Sequence, residues 1–120
     1  MGYRSDVAFA ISKKAYFKYK TILQKPLTFL DDADQKYTNE FGHYFLTYSV
    51  KWYELHDGVQ EMEQLMTELE EEDEDPDMCY AFCRIGEDDD DIAIAGDTYY
   101  FHLFIKRDFD TPHNLDKFTG

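Results

Sequence analysis

Thirteen of the chain's 26 acidic residues lie in two short runs, eight within positions 68–77 and five at 87–91. The other 13 acids face 12 lysines and arginines, so the two runs deliver nearly all of the net charge of −14. Carboxylates at that density have three chemical uses. They hold a hard cation, they exchange protons with a substrate, or they present a negative surface to a basic partner.

The spacing disfavours the first two. Glu87, Asp88, Asp89, Asp90 and Asp91, with Asp97 close behind, are oxygen donors of the kind Ca²⁺ and Mg²⁺ prefer. An EF-hand loop starting at Glu87, however, requires Gly at position 92, where Ile92 stands, and Glu at position 98, where Thr98 stands. Cys79, Cys83 and four scattered histidines form no ligand-spaced zinc set. For proton transfer, His102 between Tyr100 and Phe104, and His56 beside Asp57, are the histidines with ordered surroundings. No nucleophile elbow, phosphate loop or dinucleotide fingerprint accompanies them. The reading is a non-enzyme with no cofactor and no metal site.

The third use fits better. Duplex DNA carries one negative charge per ~1.7 Å of axis, and carboxylates on a helix follow a ~1.5 Å rise, so a dense acidic ridge can stand in for phosphates. The expected partner is a protein with a basic, nucleic-acid-binding surface, steered by salt-sensitive attraction. Direct binding of single-stranded RNA by aromatic residues with Lys51 and Arg84 is opposed by the net charge.

The elements that must carry these runs follow from periodicity. Residues 5–11 alternate as a strand with Val7, Phe9 and Ile11 on one face and Ala8 and Ala10 on the other. Ser12 caps a basic helix from Lys13 to about Gln24 with a Tyr16, Tyr19, Leu23 stripe, ended by Pro26. Because residues 1–25 hold six basic side chains and one acid, the molecule is expected to be polarised from its N-terminal third to its acidic segments. Phe29, Ala33, Tyr37 and Phe41, four apart, suggest a second helical piece. Residues 44–53 alternate as a strand with Tyr44, Leu46, Tyr48, Val50 and Trp52 facing inward. Asp57 starts an amphipathic helix that runs into the first acidic run. Residues 78–86 read as a strand, 87–91 as a loop, and 98–107 as a last strand with Tyr99, Phe101, Leu103 and Ile105 on one face. Cys79 and Cys83 share a strand face about 13 Å apart, too far to bridge.

The expected fold is α+β, with helices packed on one face of a roughly four-stranded, mainly antiparallel sheet, a two-layer sandwich. A single domain is expected over 1–110, followed by a loosely ordered tail at 111–120. The uncovered sheet face would show Tyr80, Phe82 and Arg84, or Cys79, Ala81 and Cys83 in the opposite register, beside Tyr100, His102 and Phe104. An aromatic face of that kind marks a partner surface or a homodimer contact, unless the 27–41 segment covers it. No stretch approaches the ~20 apolar residues of a membrane span and the N-terminus lacks a secretory pattern, which places the expected protein in the cytoplasm.

Three blocks carry a resemblance: MGYRSDVA at 1–8, VKWY at 50–53 and RIGEDDDDI at 84–92. In that order they resemble a group of small acidic proteins encoded by tailed bacteriophages. The resemblance implies the cytoplasm of an infected bacterium and a role inhibiting or modulating host or defence machinery. It implies no mechanism. The expected partner-binding set is Glu87, Asp88, Asp89, Asp90 and Asp91, supported by Glu70, Glu71, Glu72 and Asp73 and by Phe82, Arg84, Tyr100, His102 and Phe104. The alternative is a divalent-cation-binding or structural homodimeric protein.

Overall fold

A computed structural model describes residues 4–25, 27–51, 57–72, 75–87, 91–105, 109–112 and 114–118. The N-terminal strand β1 (Arg4–Ile11) lies at the centre of the main sheet. It pairs antiparallel on one side with β3 (His43–Lys51) and on the other with β4 (Tyr80–Gly86). Outside these lie β2 (Gln35–Thr38) and β8 (Asp116–Lys117) beyond β3, and β5 (Ile92–Gly96) beyond β4. The order is β5-β4-β1-β3-β2-β8, and every pairing is antiparallel. The sheet therefore has six strands, two more than the expected four.

The alternation in β1 divides the core in two. Val7, Phe9 and Ile11 point to one face with Phe45, Tyr80 and Phe82. Three helical elements cover that face: α1 (Lys13–Phe17), α2 (Thr28–Asp31) and α3 (Asp57–Glu70). α1 starts where expected, with Ser12 Oγ accepting the Ala15 N–H at 3.3 Å. It then widens into a π-helical turn over Lys18–Ile22, in which the Leu23 N–H donates to the Lys18 carbonyl at 2.8 Å. The wider turn carries Leu23 off the Tyr16–Tyr19 stripe, so Leu23 is exposed and Tyr16 and Tyr19 are buried. From α3, Val59, Met62, Leu65 and Leu69 are buried, as their helical spacing requires.

The second face is covered too, which corrects the two-layer expectation. Ala8, Ala10, Ala81 and Cys83 cluster there with Tyr44, Leu46, Phe101 and Leu103. The small side chains let the C-terminal segment lie close against the sheet, and Tyr44 donates its hydroxyl proton to the Phe101 carbonyl at 2.7 Å. That segment is a short helix α4 (Thr98–Phe101) followed by β6 (Phe104–Ile105) and β7 (Phe109–Asp110), which pair with each other. The continuous strand expected over 98–107 is absent. The chain turns through His102 at φ 53°, and the Leu103 N–H closes on the Thr98 carbonyl at 3.0 Å. The inward alternation survives at Phe101 and Leu103, while Tyr99 is 88% exposed. Burying a side chain the size of Phe101 stabilises a fold by roughly 1.5–3 kcal/mol, so this strap is an integral layer. Residues 116–117, read as a loose tail, pair with β2.

β3 switches faces partway along. The β1–β3 register slips between Ser5 and Val7, and Ser49, at φ 56°, takes the extra position. Asp6 Oδ1 accepts the Ser49 N–H at 2.9 Å and the Arg4 guanidinium donates to the Ser49 carbonyl at 2.8 Å. Before the bulge Tyr44 and Leu46 face the C-terminal strap; after it Val50 packs on the helix side. The expected single inward row of even residues is thus broken at Ser49, and its last member, Trp52, lies outside the described residues. In place of one helical piece over 27–41 the chain forms α2 and then β2.

Candidate partner-binding surface

The first acidic run lies against the basic helix. Lys14 Nζ meets Asp75 Oδ2 at 2.7 Å, Lys18 bonds Glu72, and Lys25 Nζ reaches both Glu68 oxygens at 2.7 and 2.9 Å. Lysines 14, 18 and 25 therefore pair in reverse order with acids 75, 72 and 68, as two antiparallel segments must. Glu70 Oε1 accepts the Tyr80 hydroxyl at 2.6 Å. The expected separation of a basic pole from an acidic pole is corrected, because the opposite charges adjoin. Lys18–Glu72 and Lys25–Glu68 are partly screened pairs, each stabilising by on the order of 0.2–1 kcal/mol.

The titration behaviour agrees with that contact. The Asp75 carboxyl is held low, first by the Lys14 ammonium and then by the Asp77 backbone N–H, and Lys14 is raised by the same bond. Tyr19, wedged beside Glu72 and Glu68, is pushed up to about 12 by burial and then by their negative charge. Tyr80 is raised by burial and by its bond to Glu70. Glu71 and Asp77 remain exposed; Asp73 lies outside the described residues.

The second run joins β4 to β5. Both of its ends are anchored. Glu87 Oε1 accepts the Arg4 N–H at 2.8 Å, and the Gly86 N–H donates to the Asp91 carbonyl at 2.7 Å. The Arg84 guanidinium forks onto Asp91 at 2.8 and 3.2 Å and also reaches the buried Ser5 hydroxyl at 3.0 Å. At the far end of β5, Gly96 stands at φ +80°, and a Cβ there would lie 2.3 Å from the Tyr80 carbonyl oxygen. The three aspartates between the anchors, 88–90, lie outside the described residues.

Of the expected aromatic surface, His102 and Phe104 come together and Phe82 does not join them. Phe82 is 5% exposed in the helix-side core and is unavailable to a partner. Arg84 is occupied by Asp91. Tyr100 and His102 are exposed on the outside of the C-terminal strap, with Tyr100 edge-on to Phe41 and His102 edge-on to half-buried Phe104. His56 lies outside the described residues. Cys79 and Cys83 are buried free thiols, both raised to about 11 chiefly by burial, which keeps them protonated and unreactive.

Sequence reasoning missed the ion-paired ladder, although its signal was present. Lys14 and Lys18 are four apart, as are Glu68 and Glu72, so each pair reads as one face of a helix. Among the described residues no three His, Cys, Asp or Glu side chains converge as a metal site, and no helix is long and apolar enough to cross a membrane. Comparison of the chain with models of known families, with curated proteins and with solved structures finds no match.

Proposed function

We propose that this chain is a small acidic binding protein that occupies the basic, nucleic-acid-binding surface of a host or defence protein, acting without catalysis in the cytoplasm of a phage-infected bacterium. The observation that carries the reading is the anchoring of both ends of the β4–β5 connection. Glu87 and Asp91 are tied to the sheet, and the sequence between them is three further aspartates with no lysine or arginine. A hairpin fixed at both ends presents charge with less conformational entropy lost on binding than a free tail. Among the described residues of the first run, the exposed Glu70, Glu71 and Asp77 support this role, because Glu68, Glu72 and Asp75 neutralise nearby lysines. The phage setting rests on the three sequence blocks.

The test is capture from a bacterial lysate followed by a DNA-binding assay on the captured protein. Added chain should displace DNA from it, and the Asp88→Asn, Asp89→Asn, Asp90→Asn variant should displace it poorly. Equal displacement by both would remove the reading.

A further inference from the structure

β5 stands at one end of the main sheet, and among the described residues its outer edge is unpaired. The ladder to β4 fixes which backbone groups that edge shows. The Gly86 N–H donates to the Asp91 carbonyl opposite it at 2.7 Å, and the Asp97 N–H donates to the Tyr80 carbonyl opposite it at 2.7 Å. Hydrogen-bonded pairs alternate along an antiparallel ladder, so Asp91, Ala93, Ala95 and Asp97 turn their backbone groups to β4. Ile92, Ile94 and Gly96 turn theirs outward. Side chains follow the same parity: Ala93 and Ala95 pack on the helix-side core, whereas Ile92 and Ile94 lie on the other face, 47% and 58% exposed.

The two edges of the sheet differ in kind. β8, at the other end, is two exposed residues, one acidic and one basic, a short charged edge of the sort that discourages pairing. β5 runs five residues, IAIAG, in unbroken register with β4 and with no charge, proline or bulge to blunt it. Its flanks say what fits it. Five acids at 87–91 lead into β5, exposed Asp97 follows it, and positions 85–105 hold no lysine or arginine. A second copy is a poor fit. Paired antiparallel about Ile94 it would set Asp91 of one copy opposite Asp97 of the other, and paired in parallel it would set the two acidic runs side by side. A strand with basic ends meets attraction instead.

We infer that the outer edge of β5 docks an extended segment of a partner protein, added antiparallel to the sheet, with apolar residues at alternate positions and lysines or arginines at both ends. Its backbone bonds to Ile92, Ile94 and Gly96, its apolar side chains pack beside Ile92 and Ile94, and its basic ends lie toward the 87–91 run and Asp97. The inference rests on the proposed basic partner and adds how that partner is held.

Titrating the peptide KKVTVTVKK into the ¹⁵N-labelled chain tests it. Saturable amide shifts are expected at Ile92, Ile94 and Gly96, with slower hydrogen exchange at the same amides, and EEVTVTVEE should bind at least about tenfold more weakly. N-methylation of the peptide's three valines, whose backbone faces β5 in this pairing, should abolish binding, while N-methylation of its two threonines should change it by less than about threefold. Ile94→Pro removes one outward N–H and no bond to β4, so it should keep the folded spectrum and weaken KKVTVTVKK by at least about tenfold. The methylated peptides read the same contact on the unaltered chain. Equal binding of the lysine and glutamate peptides, binding that survives N-methylation of the valines, concentration-dependent shifts at these amides without peptide, or no saturation by about 5 mM would overturn the inference. DNA displacement that is lost in the Asp88→Asn, Asp89→Asn, Asp90→Asn variant but intact in Ile94→Pro would overturn it too, while leaving the basic-partner reading in place.

Discussion

The two acidic runs are nearly alike in composition and are used in different ways. In the run at 68–77, three carboxylates meet Lys14 and Lys18 of the helix packed beside them and Lys25 just after it, and a fourth takes the Tyr80 hydroxyl. In the run at 87–91, the two end residues are bound by Arg4 and Arg84, and the middle three have no basic residue within the run to answer them. The difference lies in the neighbouring element and not in the acids. A carboxylate opposite a helix with matched lysines becomes part of the fold, whereas Glu87 and Asp91 tie the β4–β5 connection to the sheet. Acidic composition alone is therefore a poor guide to which acids pair within the fold.

The largest effect that would sharpen this contrast is charge reversal. Glu72→Lys sets like charges against Lys18 inside a partly buried contact and should lower the unfolding free energy by roughly 2–3 kcal/mol in chemical denaturation. Asp89→Lys should change it by less than about 0.5 kcal/mol. Equal losses would erase the distinction. A smaller effect is expected from Arg84→Ala, which removes the fork on Asp91 and the bond to Ser5. Its loss should be about 1–2 kcal/mol, with faster hydrogen exchange at the Gly86 amide, and Arg84→Lys should restore only part because it lacks the planar fork.

A pH series gives the smallest and most diagnostic signal, because one group that is not an acid must first be subtracted. His43 is stacked 4.0 Å from Phe118 and is lowered to about 4, by burial first and then by Lys13. A base with a depressed folded pKa leaves the unfolded chain binding more protons between about 4 and about 6.5, so its contribution to stability falls as pH falls through that window. Wild type should lose melting temperature relative to His43→Phe between pH ~6.5 and ~4. Parallel curves would show that His43 is not buried as described.

Much of the helix-side core was readable. The Val7, Phe9, Ile11 alternation, the Ser12 cap and the α3 stripe each obey one local period, and each appears where that period puts it. The failures have physical causes. A four-residue spacing satisfies both a helix and a strand, so Phe29, Ala33, Tyr37 and Phe41 could not separate α2 from β2. The strap over the second sheet face depends on Ala8, Ala10 and Ala81 leaving room for Phe101, a pairing distant in sequence that no window shows. The bulge at Ser49 is held by Asp6 from another strand, so the parity of β3 was not a local property either. At the surface, the strand expected after the 87–91 loop lay at 98–107, whereas β5 (Ile92–Gly96) follows it, and the register that would expose Phe82 fails because its strand is apolar on both sides.

The most direct test is the salt dependence of the dissociation constant between this chain and a captured basic partner, compared across two charge-neutralised variants. The Asp88→Asn, Asp89→Asn, Asp90→Asn protein should show a flattened slope against salt concentration, while Glu68→Gln with Glu72→Gln should keep the wild-type slope despite its lower stability. A slope that flattens in the second variant and persists in the first would contradict the division of labour between the runs.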